Sequence, residues 1–534
     1  MTVRGKSATY RLTFLALFGL ILALLLAHEF AYFRTWIMED AFISFRYVRN
    51  FVNGYGLVFN VGERVEGYTN FLWVMVLALP AALGVDIVTA GHVGGVLFSV
   101  LASLMTYVLG RWISPHAPPP LSLVSVGFLA TSGSWVVWAT SGLETPMYAF
   151  LLTVAAYAYL HERGGRSRTL PISGLVFALV AMTRPDGTLF WLLTLLHALA
   201  ERFVRRQRLV DGTVLSLVIG FVVPFGSYFA WRTWYYGYLL PNTFYAKVGA
   251  SGSQMLRGLN YTLRFLCTYG LYPLLLGALL VLSQRSRPWV AYFSLLLLGY
   301  MAYVVAVGGD AWAASRFFAP VLPLLVLLAQ GGLEALWETV GPGRKVMLAF
   351  GLVSAVVMAG SLWLSASDAA VVLRDVTVRD GRAVGLWFKE HASPGAVLAT
   401  NTAGAVAYYS ELRIIDMLGL NDVHIAHRQV PVGARLAGHE KGDGAYVLAR
   451  RPDYILFCGS VGLDTPCFRS DQELFVDPLF TELYEKNTVY LSGISYPYKL
   501  TFYRLRSAES GGLSGFESPE ARAGVNFPVC SLCE

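Results

Sequence analysis

The chain has 534 residues, of which 55% are hydrophobic and 14% are charged. Repeated apolar runs near bilayer length exclude an ordinary soluble domain and indicate an integral membrane protein. A formal net charge of +7 is also found in nucleic-acid-binding proteins. In a membrane protein, however, basic residues that collect in short loops set the orientation instead. We therefore predict an α-helical polytopic membrane protein with no nucleic-acid partner.

The first apolar run covers residues 12–33 and follows three basic residues. A signal peptide would need a small-x-small cleavage site, and none precedes His28. We therefore expect an uncleaved first span with a cytoplasmic N-terminus. The next run, 71–83, contains Pro80 and is too short for a comfortable crossing. We predict that it forms an interfacial or re-entrant helix.

Further spans follow at regular intervals and make about eleven with the first. They are predicted approximately at 89–111, 121–139, 143–161, 170–182, 186–200, 212–234, 271–283, 289–307, 317–337 and 345–365. Because 71–83 does not cross, the arginine-rich connectors 163–168 and 202–208 fall on the side of the N-terminus, as the positive-inside rule requires. The opposite face receives the acid-bearing loop 34–70 and everything after residue 365.

Motif-like polar sequence thus collects at the outer face. A transporter or flippase is expected to place ionisable groups along its spans, with access from both sides. Chemistry at one face favours an enzyme that works at the membrane surface.

The composition changes after residue 365, which separates a membrane domain (1–365) from an extracytoplasmic α/β domain (366–506). Short β-rich runs and helix-like stretches alternate there. The predicted strands are 396–400, 413–417, 454–457 and 499–505, and the predicted helices are 383–391 and 478–484. Residues 507–534 are rich in Gly, Ser and Glu and are predicted to form a flexible tail.

The five cysteines are too few for a disulfide scaffold. Cys267 lies near a membrane segment and is expected to be a small buried residue. Cys458 and Cys467 are close enough in sequence to pair in an oxidising compartment, and the sequence leaves that disulfide open. Cys530 and Cys533 form a C-x-x-C on the tail, for which we predict no redox or zinc function.

An acid pair, Glu39 and Asp40, opens the segment EDAFISFR (39–46) after the first span. A carboxylate in a partly desolvated pocket can take the proton of an acceptor hydroxyl near neutral pH. The alternative is that Asp40 only caps a short amphipathic helix at 41–52. The residues by themselves leave both interpretations open.

Other polar residues on the outer face suit a phosphate-bearing sugar substrate. Cations stabilise charge on a leaving phosphate, and the candidates are Lys247, Arg316 and Arg184. Pairing with Asp186 is the alternative for Arg184, and snorkelling is the alternative for Lys247. The candidates for binding sugar or acceptor are Glu66, Asn70, Glu144, Asn242 and Asp310. For Asn70 and Glu144 the alternative is surface capping.

The blocks EDAFISFRYVRN (39–50), NGYGLVFN (53–60) and ERVEGYTNFLW (63–73) closely resemble the first outer loop of GT-C membrane glycosyltransferases. Within that class they look most like the mycobacterial terminal beta-(1→2)-arabinofuranosyltransferase family. Further blocks similar to that family are SGLETP (141–146), TRPDG (183–187), PNTFYAK (241–247), GGD (308–310), RFF (316–318) and DMLGLND (416–422). The resemblance covers residues 36–427.

The resemblance implies a polyprenyl-phosphate sugar as donor, a glycan or lipid acceptor on the outer face of the bacterial cytoplasmic membrane, and inversion at the anomeric carbon. It also implies that the acid pair lies at the active site. Where the family commonly shows two aspartates, this chain has Glu39 before Asp40. The second position is the family's base, so we assign the base to Asp40 and leave the role of Glu39 open. Some GT-C enzymes use a divalent cation; no ligand spacing stands out here, and we predict no metal.

The predicted reaction is a single displacement in which Asp40 deprotonates the acceptor and the cations steady the departing lipid phosphate. The sequence does not separate arabinose from mannose or aminoarabinose transfer to protein or lipid. A glycan-lipid flippase without chemistry is the alternative of a different class.

Overall fold

A computed structural model describes residues 3–33, 36–115, 119–163, 171–249, 251–270, 287–340, 374–433 and 436–506, with scattered residues at 273–277 and 352–372. These residues form two compact units. The helical unit comprises Met1–Ile37, Asn70–Thr233 and Leu256–Arg374. The sheet unit comprises Met38–Thr69, Trp234–Met255 and Asp375–Glu534. The predicted tail at 507–534, with Cys530 and Cys533, lies outside the described residues.

The first part of the chain is almost entirely helical. In chain order the helices are α1 (Val3–Phe33), α2 (Glu39–Val52), α3 (Phe71–Ala82), α4 (Ile87–Ile113), α5 (Pro119–Thr131), α6 (Gly133–Ala139), α7 (Thr145–Arg163), α8 (Ile172–Thr183), α9 (Gly187–Val204), α10 (Gly212–Tyr236), α11 (Asn242–Lys247), α12 (Gly252–Phe265), α13 (Pro288–Val307) and α14 (Leu322–Val340). A π-helical turn, Leu266–Gly270, follows α12, and a 3-10 turn, Ala319–Val321, precedes α14. Cys267 lies in that π-helical turn and is exposed, so its predicted burial is wrong.

Five helices in the described part of the chain are long and apolar enough to cross a membrane. They are Ile87–Ile113, Gly187–Val204, Gly212–Tyr236, Pro288–Val307 and Ala319–Thr339. The pair Leu121–Thr131 and Gly133–Ala139, bent by 63°, makes a sixth if it is one span. The chain is therefore a helical polytopic membrane protein with five to six candidate spans. The count of about eleven stays a prediction, because 271–283 and 345–365 lie mainly outside the described residues.

The short apolar run after the acidic loop forms α3, a helix of 12 residues that contains Pro80. At 1.5 Å per residue it is about 18 Å long, whereas the hydrocarbon core of a bilayer is about 30 Å thick. Its length agrees with the prediction of a segment that does not cross.

The helical unit packs closely where its helices meet. A Cβ at Gly95 in α4 would lie 2.2 Å from the Ala139 carbonyl oxygen at the end of α6, so only glycine allows this approach. The start of α8 is closed by Glu162, whose carboxylate accepts the Ser173 N–H at 2.9 Å and the Ser173 hydroxyl at 2.5 Å. A carboxylate at a helix N-terminus satisfies backbone donors that the helix leaves unpaired.

The sheet unit is built on five strands: β1 (Val397–Thr400), β2 (Arg413–Asp416), β3 (Tyr454–Leu456), β4 (Tyr484–Tyr490) and β5 (Lys499–Leu505). Their order is β2-β1-β3-β5-β4, with β1 parallel to β2 and β3 and with β5 antiparallel to β3 and β4. The helices of this part are α15 (Thr377–His391), α16 (Ala405–Ser410), α17 (Val423–His427), α18 (Gly444–Ala449), α19 (Arg469–Val476) and α20 (Pro478–Leu483).

Two apolar layers cover this sheet. On one side Phe388 of α15 packs against Tyr454 and Phe502, with ring centroids 5.3 and 5.6 Å apart. The other layer includes Ile415 and Phe457. The four predicted strands are confirmed, and β4 was not predicted.

Cys458 and Cys467, whose pairing the sequence did not decide, form a disulfide with their Cα atoms 5.3 Å apart. The buried Asp471 carboxylate accepts the backbone N–H groups of both cysteines, at 3.0 and 3.3 Å, and the Asn401 amide at 2.7 Å. Burial raises the pKa of Asp471 to about 6 despite these hydrogen bonds. The buried Asp471 carboxylate thus holds the loop after β3 by hydrogen bonds to its backbone.

Candidate functional site

The acid pair lies in the first turn of α2. The helix begins at Glu39 and its N-cap position is Met38, which makes no side-chain capping bond. The interpretation that Asp40 caps a helix at 41–52 is therefore wrong. Neighbouring helical residues project about 100° apart. Accordingly, Glu39 is buried, at 7% exposure, whereas Asp40 is partly exposed.

Glu39 binds backbone groups far away in the sequence. Its Oε1 accepts the N–H of Gly404 at 2.9 Å and the N–H of Ala405 at 3.0 Å, and Oε2 lies 3.1 Å from the same Ala405 nitrogen. These two residues begin α16. Burial raises the pKa of Glu39 to about 8, and the negative charges of Asp40 and Asp375 add to the rise.

A second charged residue of α2 holds the far end of the same short helix. Arg46 donates to the carbonyl oxygens of Ala407 at 2.5 Å and Leu412 at 2.7 Å, and to that of Phe59 at 2.7 Å. Its guanidinium carbon also lies 4.5 Å from the centre of the Phe59 ring. Cations suit the carbonyl end of a helix as anions suit its N–H end. Glu39 and Arg46 thus bind the two ends of α16, and we call this pair of residues the clamp.

The loop after α2 is tied to a turn at the end of β2. Asp416 there accepts the N–H of Leu418 at 3.0 Å and of Asn421 at 2.8 Å. The Asn421 side chain reaches the Tyr47 hydroxyl at 3.4 Å, and this hydroxyl accepts the Gly67 N–H at 2.9 Å. Glu66, the residue before Gly67, is also buried.

Asn242 also supports this turn. Its amide nitrogen lies 2.8 Å from the Gly419 carbonyl oxygen, 3.0 Å from that of Leu420 and 3.2 Å from that of Asp422. Its own backbone N–H donates to the Glu66 carbonyl at 3.0 Å. The Asn242 amide nitrogen, predicted to bind sugar, is therefore engaged with backbone carbonyls.

In the helical unit three of the predicted residues form one buried chain. Asn70 donates to Glu144 at 2.9 Å, and Glu144 lies 3.7 Å from Arg184. Asn70 makes no side-chain capping bond to α3, so the capping alternative for it is wrong. Arg184 also donates to Asp186 at 3.1 Å, which is the pairing named as its alternative. Tyr300 closes the chain with a 3.0 Å bond to Asp186.

Arg316 and Asp310 form a bidentate pair in the same unit. The Arg316 Nε and Nη2 atoms lie 2.6 and 3.0 Å from the two Asp310 oxygens. The guanidinium stands 5.7 Å from the centre of the Trp138 ring, and the Trp138 indole donates to the Ala314 carbonyl at 2.9 Å. Two hydrogen bonds and an aromatic face hold this arginine in one orientation.

Lys247, the last residue of α11, differs from both arginines. No hydrogen bond or ion pair of its ammonium group is found among the described residues, and the side chain is partly exposed. Its aliphatic stem lies against Gly438, where a Cβ would be 3.1 Å from Lys247 Cε. The aliphatic part of the Lys247 side chain is therefore packed, whereas its ammonium group is available to a ligand.

The ten predicted site residues divide equally between the two units. The helical unit holds Asn70, Glu144, Arg184, Asp310 and Arg316, and the sheet unit holds Glu39, Asp40, Glu66, Asn242 and Lys247. Sequence reasoning missed that Arg46 binds a backbone carbonyl of α16 and that Tyr300 donates to Asp186. The seven-residue spacing of Glu39 and Arg46, two helical turns, was the available signal for the clamp. In the described ranges, no cluster of three or more His, Cys, Asp or Glu side chains could hold a metal ion.

Comparison with known sequences finds two terminal beta-(1->2)-arabinofuranosyltransferases. The protein from Mycobacterium tuberculosis is 31% identical over 276 residues, which cover 48% of this chain and 42% of that protein. The protein from Corynebacterium glutamicum is 28% identical over 365 residues, which cover 57% of this chain and 50% of that protein. The match thus spans about half the length of these relatives. Residues 370–505 match the family model described as Domain of unknown function (DUF8728).

Solved structures share the architecture at low sequence identity. ArnT from Cupriavidus metallidurans in the apo state has a TM-score of 0.52 and 14% identity, over 74% of this chain and 84% of that chain. The Archaeoglobus fulgidus oligosaccharyltransferase in the apo form has a TM-score of 0.52 and 11% identity, over 75% and 64% of the chains. The ArnT structure bound to undecaprenyl phosphate has a TM-score of 0.51 at 14% identity, over 74% and 85% of the chains. The chain is thus a distant homologue of the terminal beta-(1->2)-arabinofuranosyltransferases and has a GT-C-like fold.

Proposed function

We propose that the protein transfers a sugar from a polyprenyl-phosphate donor to a glycan or lipid acceptor at the outer face of the cytoplasmic membrane. Arabinofuranose is the first candidate for the sugar. The observation that carries the proposal is the sequence likeness to the two arabinofuranosyltransferases. The fold shared with ArnT, which has been solved with undecaprenyl phosphate, is consistent with a lipid-phosphate substrate.

The proposed chemistry is one inverting displacement. The acceptor oxygen forms a bond to the anomeric carbon while the bond from that carbon to the phosphate oxygen breaks. The acceptor's proton passes to Asp40, and the polyprenyl phosphate leaves as an anion. A general base of this kind typically contributes about 10²–10⁴-fold to a rate.

Asp40 is the better base of the two acids because its side chain is partly exposed, whereas Glu39 is buried and already accepts two backbone N–H groups. A base must reach the proton that it removes. Lys247 is proposed to steady the leaving phosphate, because its charge has no carboxylate partner in the described part of the sheet unit. Arg184 and Arg316 keep the same predicted role, although each already faces a carboxylate. Glu66, Asn70, Glu144, Asn242 and Asp310 stay predicted contacts of sugar or acceptor.

The experiment is an assay of the purified protein in detergent with polyprenyl-phosphate arabinofuranose, aminoarabinose and mannose. We expect transfer of one sugar and release of one equivalent of free polyprenyl phosphate. The Asp40→Asn variant should lose at least about 100-fold in kcat. Glu482→Gln is a matched control, because that acid is exposed on α20.

The assay distinguishes this reaction from its alternatives. No release of polyprenyl phosphate from any of the three donors would overturn the proposal. Transport of the lipid donor by the same protein in liposomes would then favour a flippase. Preference for aminoarabinose or mannose would keep the reaction and change the sugar. Full transfer by Asp40→Asn would remove Asp40 from the role of base.

A further inference from the structure

We propose that Glu39 is a positioning residue that fastens α2 to the start of α16, and that Asp40 is the only proton acceptor of the acid pair. This inference rests on the proposed function. It also gives a role to the sheet unit, because α16 lies within the region matched by the family model of unknown function. That region would hold the catalytic acid in place.

The first support is the geometry of the carboxylate. Both N–H groups that open α16 point at Glu39 Oε1, at 2.9 and 3.0 Å, and the side chain is 7% exposed. The first N–H groups of a helix have no partner within it and must be satisfied from outside. Glu39 therefore satisfies donors of α16, and its Oε1 is engaged with two backbone N–H groups rather than with a substrate hydroxyl.

The second support is the absence of a side chain at position 404. A Cβ there would lie 2.3 Å from the Glu39 backbone oxygen and 2.6 Å from Glu39 Cδ. Real Cβ atoms do not approach other atoms so closely, because protein interiors are already close-packed. Gly404 thus leaves the space that Glu39 fills, and the two residues form one fitted contact.

The third support is a second attachment two turns further along α2. Residues seven positions apart lie on the same helical face. Arg46 binds the carbonyls of Ala407 and Leu412 near the other end of α16. Arg49 adds a 2.8 Å bond to the Tyr408 carbonyl. Attachment at both ends fixes the rotation of α2, and with it the direction in which Asp40 projects.

The protonation of Glu39 agrees with this assignment. Its pKa is raised to about 8 by burial, so most of the carboxyl is protonated at neutral pH. The protonated form cannot take a proton from an acceptor hydroxyl. A glutamine has the same shape and keeps a carbonyl oxygen that accepts both N–H groups.

The experiment compares Glu39→Gln, Glu39→Ala and Asp40→Asn in the full-length protein. We expect Glu39→Gln to keep kcat within about threefold, because its oxygen replaces that of the acid. Glu39→Ala should lower kcat by about 10–100-fold with an unchanged KM for the donor, since a shift of about 1 Å in a catalytic group can cost that much. Only Asp40→Asn should remove the acid limb of the pH–rate profile. If Glu39→Gln falls to the level of Asp40→Asn, or itself removes that limb, the inference is overturned.

Gly404→Ala tests the same contact without changing an acid. It should reproduce the loss of kcat seen in Glu39→Ala. Gly252→Ala is the matched control in the same unit, since a Cβ there meets nothing within 4 Å. Activity of Gly404→Ala equal to that of Gly252→Ala would contradict the fitted contact.

Hydrogen exchange separates this inference from the proposed function, because it needs no substrate. The amides of Gly404 and Ala405 should exchange at least about tenfold faster in Glu39→Ala than in the wild type, as expected when a buried hydrogen bond is lost. Unchanged exchange would overturn the attachment even if the enzyme is active. A wild-type protein that transfers no sugar would overturn the proposed function, and the exchange result would still decide the attachment.

Discussion

The two units satisfy several of their buried charges in different ways. In the helical unit, Arg316 pairs with Asp310, and Arg184 faces both Glu144 and Asp186. In the sheet unit, the buried carboxylates of Asp416 and Asp471 accept backbone N–H groups instead.

The difference follows from the backbone that each unit offers. Interior N–H groups of long helices are already bonded within the helix, so a charge buried beside them is paired with an opposite charge. Only a helix end offers free N–H groups there, as the start of α8 does to Glu162. The loops and short helices of an α/β region leave many N–H groups unpaired, and a carboxylate can accept them. The acid at position 39 follows the second pattern. Lys247, in the same unit, has no carboxylate partner among the described residues.

The strongest test of this comparison breaks an ion pair of the helical unit. Arg316→Ala leaves Asp310 buried without the cation that holds it, which should cost about 3–5 kcal/mol of stability. The double variant Arg316→Ala/Asp310→Ala should recover part of that loss in thermal unfolding in detergent. A double variant as unstable as the single one would show that the pair does not support the fold. If Arg316 also binds phosphate, activity should stay low in both.

A smaller effect is expected at Glu144, between Asn70 and Arg184. Glu144→Gln removes the charge that faces the guanidinium and should cost about 1–3 kcal/mol, measured as a lower melting temperature. Glu338→Gln is the matched control, because the Glu338 side chain is 42% exposed where it pairs with Arg287, and its loss should matter by less than about 1 kcal/mol. Equal effects of the two substitutions would contradict the claim that this unit depends on its buried charge pairs.

Lys247 provides the converse test in the sheet unit. Because its ammonium has no structural partner in the described part of the chain, Lys247→Met should leave the melting temperature unchanged. It should raise the KM for the lipid donor by about tenfold, equivalent to about 1.4 kcal/mol of lost attraction to phosphate. Lys247→Arg should restore most of the affinity. A lower melting temperature with an unchanged KM would make Lys247 structural.

The smallest expected effect is the pH dependence that Glu39 gives the sheet unit. Its pKa is raised from 4.5 to about 8 by burial, with the charges of Asp40 and Asp375 acting in the same direction. A group whose pKa is higher in the folded state stabilises that state most below its unfolded pKa, and this stability is lost as the pH rises through the folded pKa. The melting temperature should therefore fall by a few degrees between about pH 5 and 8. Glu39→Gln should remove this slope, and a slope unchanged in that variant would exclude Glu39 as its source.

Local patterns predicted much of the fold. The amphipathic stretch at 41–52 is the body of α2, and the short β-rich runs at 396–400 and 413–417 are β1 and β2. The strand β4 was missed because Tyr484–Tyr490 is polar at alternate positions and pairs on one side only, with β5. Such an edge strand carries little of the apolar signal on which sequence reasoning depends.

The candidate site was predictable as a list of residues but not as a set of contacts. The acidic and basic residue types at positions 144, 184, 310 and 316 are visible in the sequence. Which acid faces which base depends on the packing of helices that are far apart in the chain. Asn70 and Glu144, for example, are 74 positions apart and meet only in the folded helical unit.

The sequence by itself determined that this is a membrane protein and that two adjacent acids open the loop after its first apolar segment, because composition and local order are properties of the chain. The tertiary structure decided what distinguishes those acids. Glu39 meets an N–H group 365 positions further along the chain, and Asp40, turned about 100° away on the same helix, does not share its burial. The environment that assigns different roles to two neighbouring carboxylates is supplied by residues remote in sequence.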